Sequence, residues 1–256
     1  MTRVSTLIIR APGTNCDAET AYAFEQAGST VESALLAELV SLKDPLANHQ
    51  IMVIPGGFTY GDDISAGKIL ANELRLKLGE ELHRFVGEGK LILGICNGLQ
   101  VLVKAGVLPA CPDITRQSLT IAPNDSARFE CRWVHLHVNE ATPCIFTRGI
   151  TDMYLPVAHG EGKVFAATGV AENLNAVLYY TDQNRGRSPG YPHNPNGSLA
   201  DIAGICDNSG RIFALMPHPE RFVRWTQHPR WTREPPRDHG DGLRIFVNAV
   251  EWAKAL

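Results

Sequence analysis

The 256-residue chain has no apolar run approaching the roughly 18 residues that cross a bilayer. It also lacks an excess of either charge. Its 24 Lys and Arg stand against 27 Asp and Glu, a net of −3. That balance gives no global pull toward nucleic acid or an anionic membrane. Cysteine is sparse: Cys16, Cys96, Cys111, Cys131, Cys144 and Cys206 are scattered and none forms a Cys-x-x-Cys pair. A disulfide scaffold would be denser, so these read as reduced thiols. The start, Met1-Thr2-Arg3-Val4, runs straight into a strand-like apolar stretch with no signal-peptide pattern, and a cytoplasmic location is expected. There is no internal repeat and no low-complexity linker. With 44% hydrophobic and 20% charged residues, the composition is that of an ordinary globular protein. One domain over residues 1–256 is expected.

What is present alternates. Leu7-Ile8-Ile9, Gln50 to Ile54 and Leu91 to Ile95 are short continuous apolar runs, each closed by a turn signal. Between and after them lie helical patterns at Ala18 to Ala27, about Ile64 to Val86, and Asn97 to Ala105. Buried strands separated by helices predict a mostly parallel central sheet flanked by helices, an α/β fold. From about Ala127 onward the pattern changes. Stretches at Ala127 to Asn139, Met153 to Val157, Ala176 to Tyr180, Ala200 to Ile205 and Arg211 to Met216 read as strands of an additional antiparallel portion. A final helix is expected over Gly242 to Leu256.

The sharpest chemical signal is Gly94-Ile95-Cys96-Asn97-Gly98, placed between a buried strand and a helix. This is the cysteine form of the nucleophile elbow, whose tight turn needs small residues two before and two after the nucleophile. It would lift Cys96 to a helix N-terminus, where unpaired N–H groups favour a thiolate. The N–H of Asn97 would face a developing oxyanion there. Cys16 also lies between a strand and a helix, but Thr14 stands where the elbow needs its first glycine, so a peripheral role is expected for it. A thiol nucleophile needs a base and the base an orienter. Met216-Pro217-His218-Pro219-Glu220 supplies both, since His218 and Glu220 project to one side of an extended prolyl segment. His159-Gly160-Glu161 is the other His-x-carboxylate pair and is read as facing substrate or partner. Pro55-Gly56-Gly57 ends another parallel strand and could present the Gly57 N–H as a second oxyanion donor.

These three motifs, in this order, resemble the class I glutamine amidotransferases. Ala11-Pro12-Gly13-Thr14-Asn15-Cys16-Asp17, Gly57-Phe58-Thr59-Tyr60-Gly61-Asp62-Asp63 and Arg128-Phe129-Glu130-Cys131-Arg132-Trp133 narrow the likeness. So do Ala158-His159-Gly160-Glu161-Gly162 and Asn194-Pro195-Asn196-Gly197-Ser198. Together they resemble the glutaminase part of phosphoribosylformylglycinamidine synthases, over almost the whole chain. The resemblance implies Cys96 as nucleophile, His218 and Glu220 as the rest of a triad, and oxyanion donors at Gly57 and Asn97. It places Gln100 in the glutamine site, and Arg128 and His159 are expected to reach substrate with it. It implies L-glutamine as substrate and ammonia passed to a synthase subunit that holds ATP and magnesium in de novo purine synthesis. No cofactor and no metal are expected in this chain. Ser188 to Ser198 and Val223 to Gly240 look more like the amidotransferase end of long single-chain synthases, which bears on the need for a small accessory subunit.

Weaker signals lead elsewhere. Gly61 to Ile69 has one residue too many for a P-loop, and Ile69 replaces the needed Ser or Thr. His135 and His137 share a strand face near Cys131 but lack the further ligands of a zinc site. Arg221 to Arg244 mixes arginine with Trp225 and Trp231, which suits a protein contact or a solvated loop better than single-stranded nucleic acid. An amidotransferase for another ammonia acceptor, a free-standing thiol amide hydrolase and a non-catalytic partner-binding subunit of the same fold remain alternatives.

Overall fold

The computed structural model describes residues 3–109, 119–166, 170–187 and 190–256. Cys111 and the pair Ser188-Pro189 lie outside them. The apolar runs become strands β1 (Ser5–Arg10), β3 (Ile51–Ile54) and β4 (Leu91–Ile95), the last two buried throughout. Helices α1 (Asp17–Gln26), α3 (Lys68–Gly87) and α4 (Asn97–Lys104) separate or follow them. A strand β2 (Thr30–Leu35) and a one-turn helix α2 (Leu36–Leu39) complete the first half.

Later come β5 (Leu119–Pro123), β6 (Glu130–Val138), β7 (Asp152–His159), β8 (Glu161–Ala166), β9 (Asn175–Thr181), β10 (Ile202–Cys206), β11 (Ile212–Leu215) and helix α5 (Leu243–Ala253). Nine strands form one sheet in the order β2-β1-β3-β4-β11-β10-β9-β6-β7. The run from β2 to β11 is parallel and the remaining pairs are antiparallel. The expected antiparallel portion is therefore continuous with the parallel half, and β11 is the hinge between them. Helices cover the sheet through apolar faces: Leu70, Leu74, Leu78, Leu82 and Phe85 of α3 are buried, and Phe24 of α1 meets Phe246 of α5 edge-on at 5.0 Å.

Two details depart from the sequence pattern. Helix α3 begins at Lys68 rather than near Ile64, because Ile64 (φ 69°) and Gly67 (φ 74°) hold the chain in the left-handed region. Strands β5 and β8 form a separate antiparallel pair that the pattern missed. Their pairing joins segments about forty residues apart, so it rests on long-range contacts rather than on local propensity.

The register places the site. Leu215 of β11 lies beside Ile95 of β4, and Ile54 of β3 beside Gly94. Three parallel strands thus deliver three loops to one edge: Pro55-Gly56-Gly57, Cys96-Asn97, and Pro217 to Arg221.

Candidate active site

Cys96 sits between β4 and α4 at φ 51°, ψ −102°, a conformation sparsely populated by side-chain-bearing residues. The two glycines make that turn possible. A Cβ on Gly94 would lie 2.8 Å from the backbone of Gly98, and one on Gly98 would lie 2.0 Å from the carbonyl oxygen of Ile54. Both positions press backbone on backbone, so no side-chain adjustment can relieve them. The thiol is 3.7 Å from the carbonyl oxygen of Ala158. Cys96 stands at the N-cap of α4, where the leading N–H groups have no carbonyl one turn back to bond.

His218 and Glu220 are brought to Cys96 by β11. The imidazole Nδ1 is 2.6 Å from Glu220 Oε1, and both side chains are almost fully buried. Burial opposes charging His218, but Glu220 and then Cys96 outweigh it, and its pKa stands well above the ordinary histidine value. The ring can therefore act as an imidazolium beside Cys96. With Nδ1–H donated to Glu220, Nε2 is left as the working nitrogen; it is buried and has no hydrogen-bond partner among the described residues.

Asn97 is fully buried and anchors the elbow. Its Oδ1 accepts from Thr59 Oγ1 at 2.7 Å, and its Nδ2 donates to Gln100 Oε1 at 2.9 Å. Gln100 in turn donates from Nε2 to the carbonyl of Glu161 at 2.6 Å. The Gln100 amide is thus tied to the scaffold that joins α4 to β8. Gly57 has φ 154°, and a Cβ there would lie 2.7 Å from Gly13 O, so the strand-end turn also requires glycine.

The second His-x-carboxylate pair divides. Glu161, partly exposed, pairs with the buried Lys104 ammonium at 3.3 Å and accepts from Ala66 N. His159 does reach the site region, directly after the Ala158 carbonyl that meets Cys96. Asn124 Oδ1 lies 3.0 Å from His159 Nδ1, which assigns the proton there and leaves Nε2 as a buried acceptor without a partner among the described residues. Burial, and then the charge of His218, pull the His159 pKa down to about 3. Arg128 is exposed at the rim; its carbonyl and that of His159 accept from the same Asn124 amide.

The depressed His159 value carries a sign. The unfolded histidine titrates near 6.5, so between pH 3 and 6.5 the unfolded chain binds the extra proton. Stability is then lost as pH falls through that window, by up to about 1.4 kcal/mol per unit. A His159→Gln variant lacks this loss. Its urea-unfolding free energy should gain about 2 kcal/mol on the wild type between pH 6.5 and 5. A pH-independent difference would mean that His159 is not held neutral.

The sequence pattern missed Cys16 and Arg221. The loop before α1 is pinned to Gly56, whose carbonyl accepts from both Asn15 N (3.4 Å) and Cys16 N (3.2 Å). This brings Cys16 Sγ to 4.0 Å from His218 Nδ1 and 3.0 Å from Arg221 Nη2. Cys16, His218 and Glu220 place one donor atom each within 4.8 Å of one another. No local signal marks Cys16, since only the strand order β1-β3-β4-β11 sets it beside the histidine. The other histidines expected as weak metal candidates are engaged singly: His135 stacks on Tyr154 and His137 pairs with Asp152. Within the Arg- and Trp-rich stretch, Trp225 is buried against His228 and Arg237, whereas Trp231 stays exposed.

Residues 3–253 match the family model described as a CobB/CobQ-like glutamine amidotransferase domain. A Dehalococcoides mccartyi protein, phosphoribosylformylglycinamidine synthase subunit PurQ, is 59% identical over 256 residues, covering 100% of both chains. A protein of the same name from Methanococcus maripaludis is 40% identical over 263 aligned positions and 96% of each chain. Among solved structures, a chain of PurLQS from Thermotoga maritima superposes with a TM-score of 0.75 at 30% identity, covering 98% of this chain and 99% of that one. The end-to-end match to a subunit shows that this length is shared by a relative named as a subunit of a synthase.

Proposed function

The chain belongs to the family of CobB/CobQ-like glutamine amidotransferases, and on that premise we propose how its site supplies ammonia from L-glutamine. The chain is the glutaminase subunit of a phosphoribosylformylglycinamidine synthase in purine biosynthesis. The observation that carries the chemical reading is the Cys96 elbow facing a His218–Glu220 pair across adjacent parallel strands.

Cys96 thiolate attacks the side-chain amide carbon of glutamine. The oxyanion is held by the N–H groups of Asn97 and Gly57. Protonated His218 gives its Nε2 proton to the departing nitrogen, ammonia leaves, and a γ-glutamyl thioester remains. His218, now neutral, takes a proton from water as the water attacks; the thioester collapses to glutamate and Cys96 is restored. Glu220 keeps the imidazole in one tautomer throughout. Gln100, Arg128 and His159 frame the glutamine, with His159 as a neutral acceptor and Gln100 acting through the scaffold.

The ammonia acceptor is on another chain. We take the partner to be the ATP- and magnesium-dependent synthase subunit, accompanied by a small accessory subunit, in keeping with the three-letter PurLQS assembly. We take residues 1–256 as one amidotransferase domain, a reading the continuity of the nine-stranded sheet supports, and assign the chain no cofactor of its own. No helix among the described residues is long and apolar enough to cross a membrane, and we place the complex in the cytoplasm.

The test is co-purification with the synthase subunit, followed by glutamine-dependent turnover. Glutamine hydrolysis should rise at least tenfold when synthase and its substrates are added. Full hydrolysis without partner, unchanged on adding it, would favour a free-standing amide hydrolase.

A further inference from the structure

Two thiols border the same imidazole, and only one has the elbow. We propose that the other, Cys16, together with Arg221, forms a brace that positions the His218 ring for the proposed acid–base work. The inference rests on the reading of His218 as the acid–base residue.

The backbone of Cys16 is held from both sides. Its N–H donates to Gly56 O at 3.2 Å, and its carbonyl accepts from Thr20 Oγ1 at 2.6 Å. The sulfur is then fixed by three neighbours. Its thiol donates to Asn15 Oδ1 at 3.2 Å, Arg221 Nη2 donates to it at 3.0 Å, and His218 Nδ1 lies 4.0 Å away. Gly56 shares the same pocket, since a Cβ there would lie 2.8 Å from His218 Cε1 and 2.9 Å from Cys16 Sγ. The ring edge bearing Nδ1 and Cε1 therefore packs against a strand-end glycine and a soft sulfur. Arg221 extends the brace to a second point on α1, where Glu19 Oε1 is 3.3 Å from its Nε. Glu19, Arg221 and Cys16 thus connect α1 to the short turn that carries the histidine.

The arrangement separates the roles of the two thiols. Cys16 approaches the nitrogen already committed to Glu220, so it has no path to the nitrogen that would serve Cys96. Burial raises its pKa; His218 and Arg221 oppose that shift and Glu220 reinforces it. A protonated Cys16 does not compete as a nucleophile. It offers a polarizable wall that keeps contact with the ring whether the ring is neutral or charged. A loosened ring costs catalysis more than binding, because misplacement of a reacting group by about 1 Å can cost on the order of a hundredfold.

The experiment uses the assembled complex, with kcat and KM for glutamine measured for Cys16→Ala, Cys16→Ser, Arg221→Ala and Arg221→Lys. Alkylation of Cys96 by iodoacetamide is followed in each, with the labelled peptide identified by mass spectrometry. Each alanine variant should lower kcat by roughly ten- to a hundredfold with KM changed less than twofold. Cys96 alkylation should slow in parallel, and Cys16→Ser and Arg221→Lys should each recover part of the loss. The double alanine variant should fall by less than the product of the single effects, because both residues act through one contact. Wild-type kcat in both alanine variants would overturn the brace, as would a raised KM at unchanged kcat or a wild-type enzyme labelled at Cys16 instead of Cys96. Failure of the underlying reading looks different: it would show as glutamine-dependent turnover surviving in Cys96→Ala.

Discussion

Glutamine-dependent turnover by the complex falls by about 10⁴-fold or more when Cys96 is replaced by alanine, while turnover from added ammonium is retained. The expected size follows from the role. On the proposed mechanism the thiol carries the covalent intermediate, and oriented water offers no comparable route at neutral pH. The substitution is mild for the fold: it removes one buried sulfur and keeps the Cβ, so it adds no steric demand to the φ 51° turn. Retained ammonium-dependent turnover places the loss at the glutaminase site and not in the assembly. Glutamine-dependent activity near wild type in this variant would move the nucleophile elsewhere. Cys16 would then be the first suspect, because its sulfur also borders His218.

The second large effect is structural. Gly98→Ala places a methyl group 2.0 Å from Ile54 O and 2.9 Å from its carbonyl carbon. The clash is with the backbone of β3, so α4 must tilt or the β3–β4 pair must part. Overpacking of this kind is expected to destabilise the chain by about 3 kcal/mol. It also shifts the α4 N-terminus relative to the strand-end turn at Gly57, so turnover should drop about a hundredfold even in the folded fraction. Gly87→Ala is the control. It ends α3 with nothing within 4 Å of the added carbon, and its midpoint should stay within a few tenths of a kcal/mol or rise slightly. A Gly98→Ala chain as stable and active as the control would mean that the elbow does not need its second glycine.

The electrostatics of the two site-region histidines point in opposite directions. His218 carries the larger burial penalty, but a carboxylate 2.6 Å away that is as buried as itself, together with the two neighbouring thiols, outweighs it. His159 has only a neutral amide at Nδ1 and the positive His218 nearby, so burial dominates. Two imidazoles in one neighbourhood are thereby sorted into a proton carrier and a neutral acceptor.

Several features were readable along the chain because their causes are local. Continuous apolar runs at Leu7 to Ile9, Ile51 to Ile54 and Leu91 to Ile95 can only be satisfied by strands covered on both faces. The glycines around Cys96 answer a steric demand two residues away, so the elbow shows in five consecutive letters. His218 and Glu220 pair within three residues, so their pairing is local too, although Pro219–Arg221 forms a 3-10 turn and not the extended segment expected, since Pro219 suits the first position of a helical turn. What sequence spacing did not show was the contact of Glu161 with Lys104, a residue 57 positions away that α4 buries.

The sequence alone determined the α/β class, the strand-to-helix elbow at Cys96 and the identity of the His218–Glu220 pair, because each depends on residues within a few positions of one another. The tertiary structure decided which loops meet. The order β1-β3-β4-β11 sets Cys16, Gly56, Cys96 and His218 at one sheet edge although they span two hundred residues. It also made β11 the strand that is parallel to β4 and antiparallel to β10, joining two kinds of sheet behind one site. Strand order is a property of long-range pairing, selected by the burial of whole faces against one another. No local pattern encodes it, which is why the second thiol and its arginine became visible only in the folded chain.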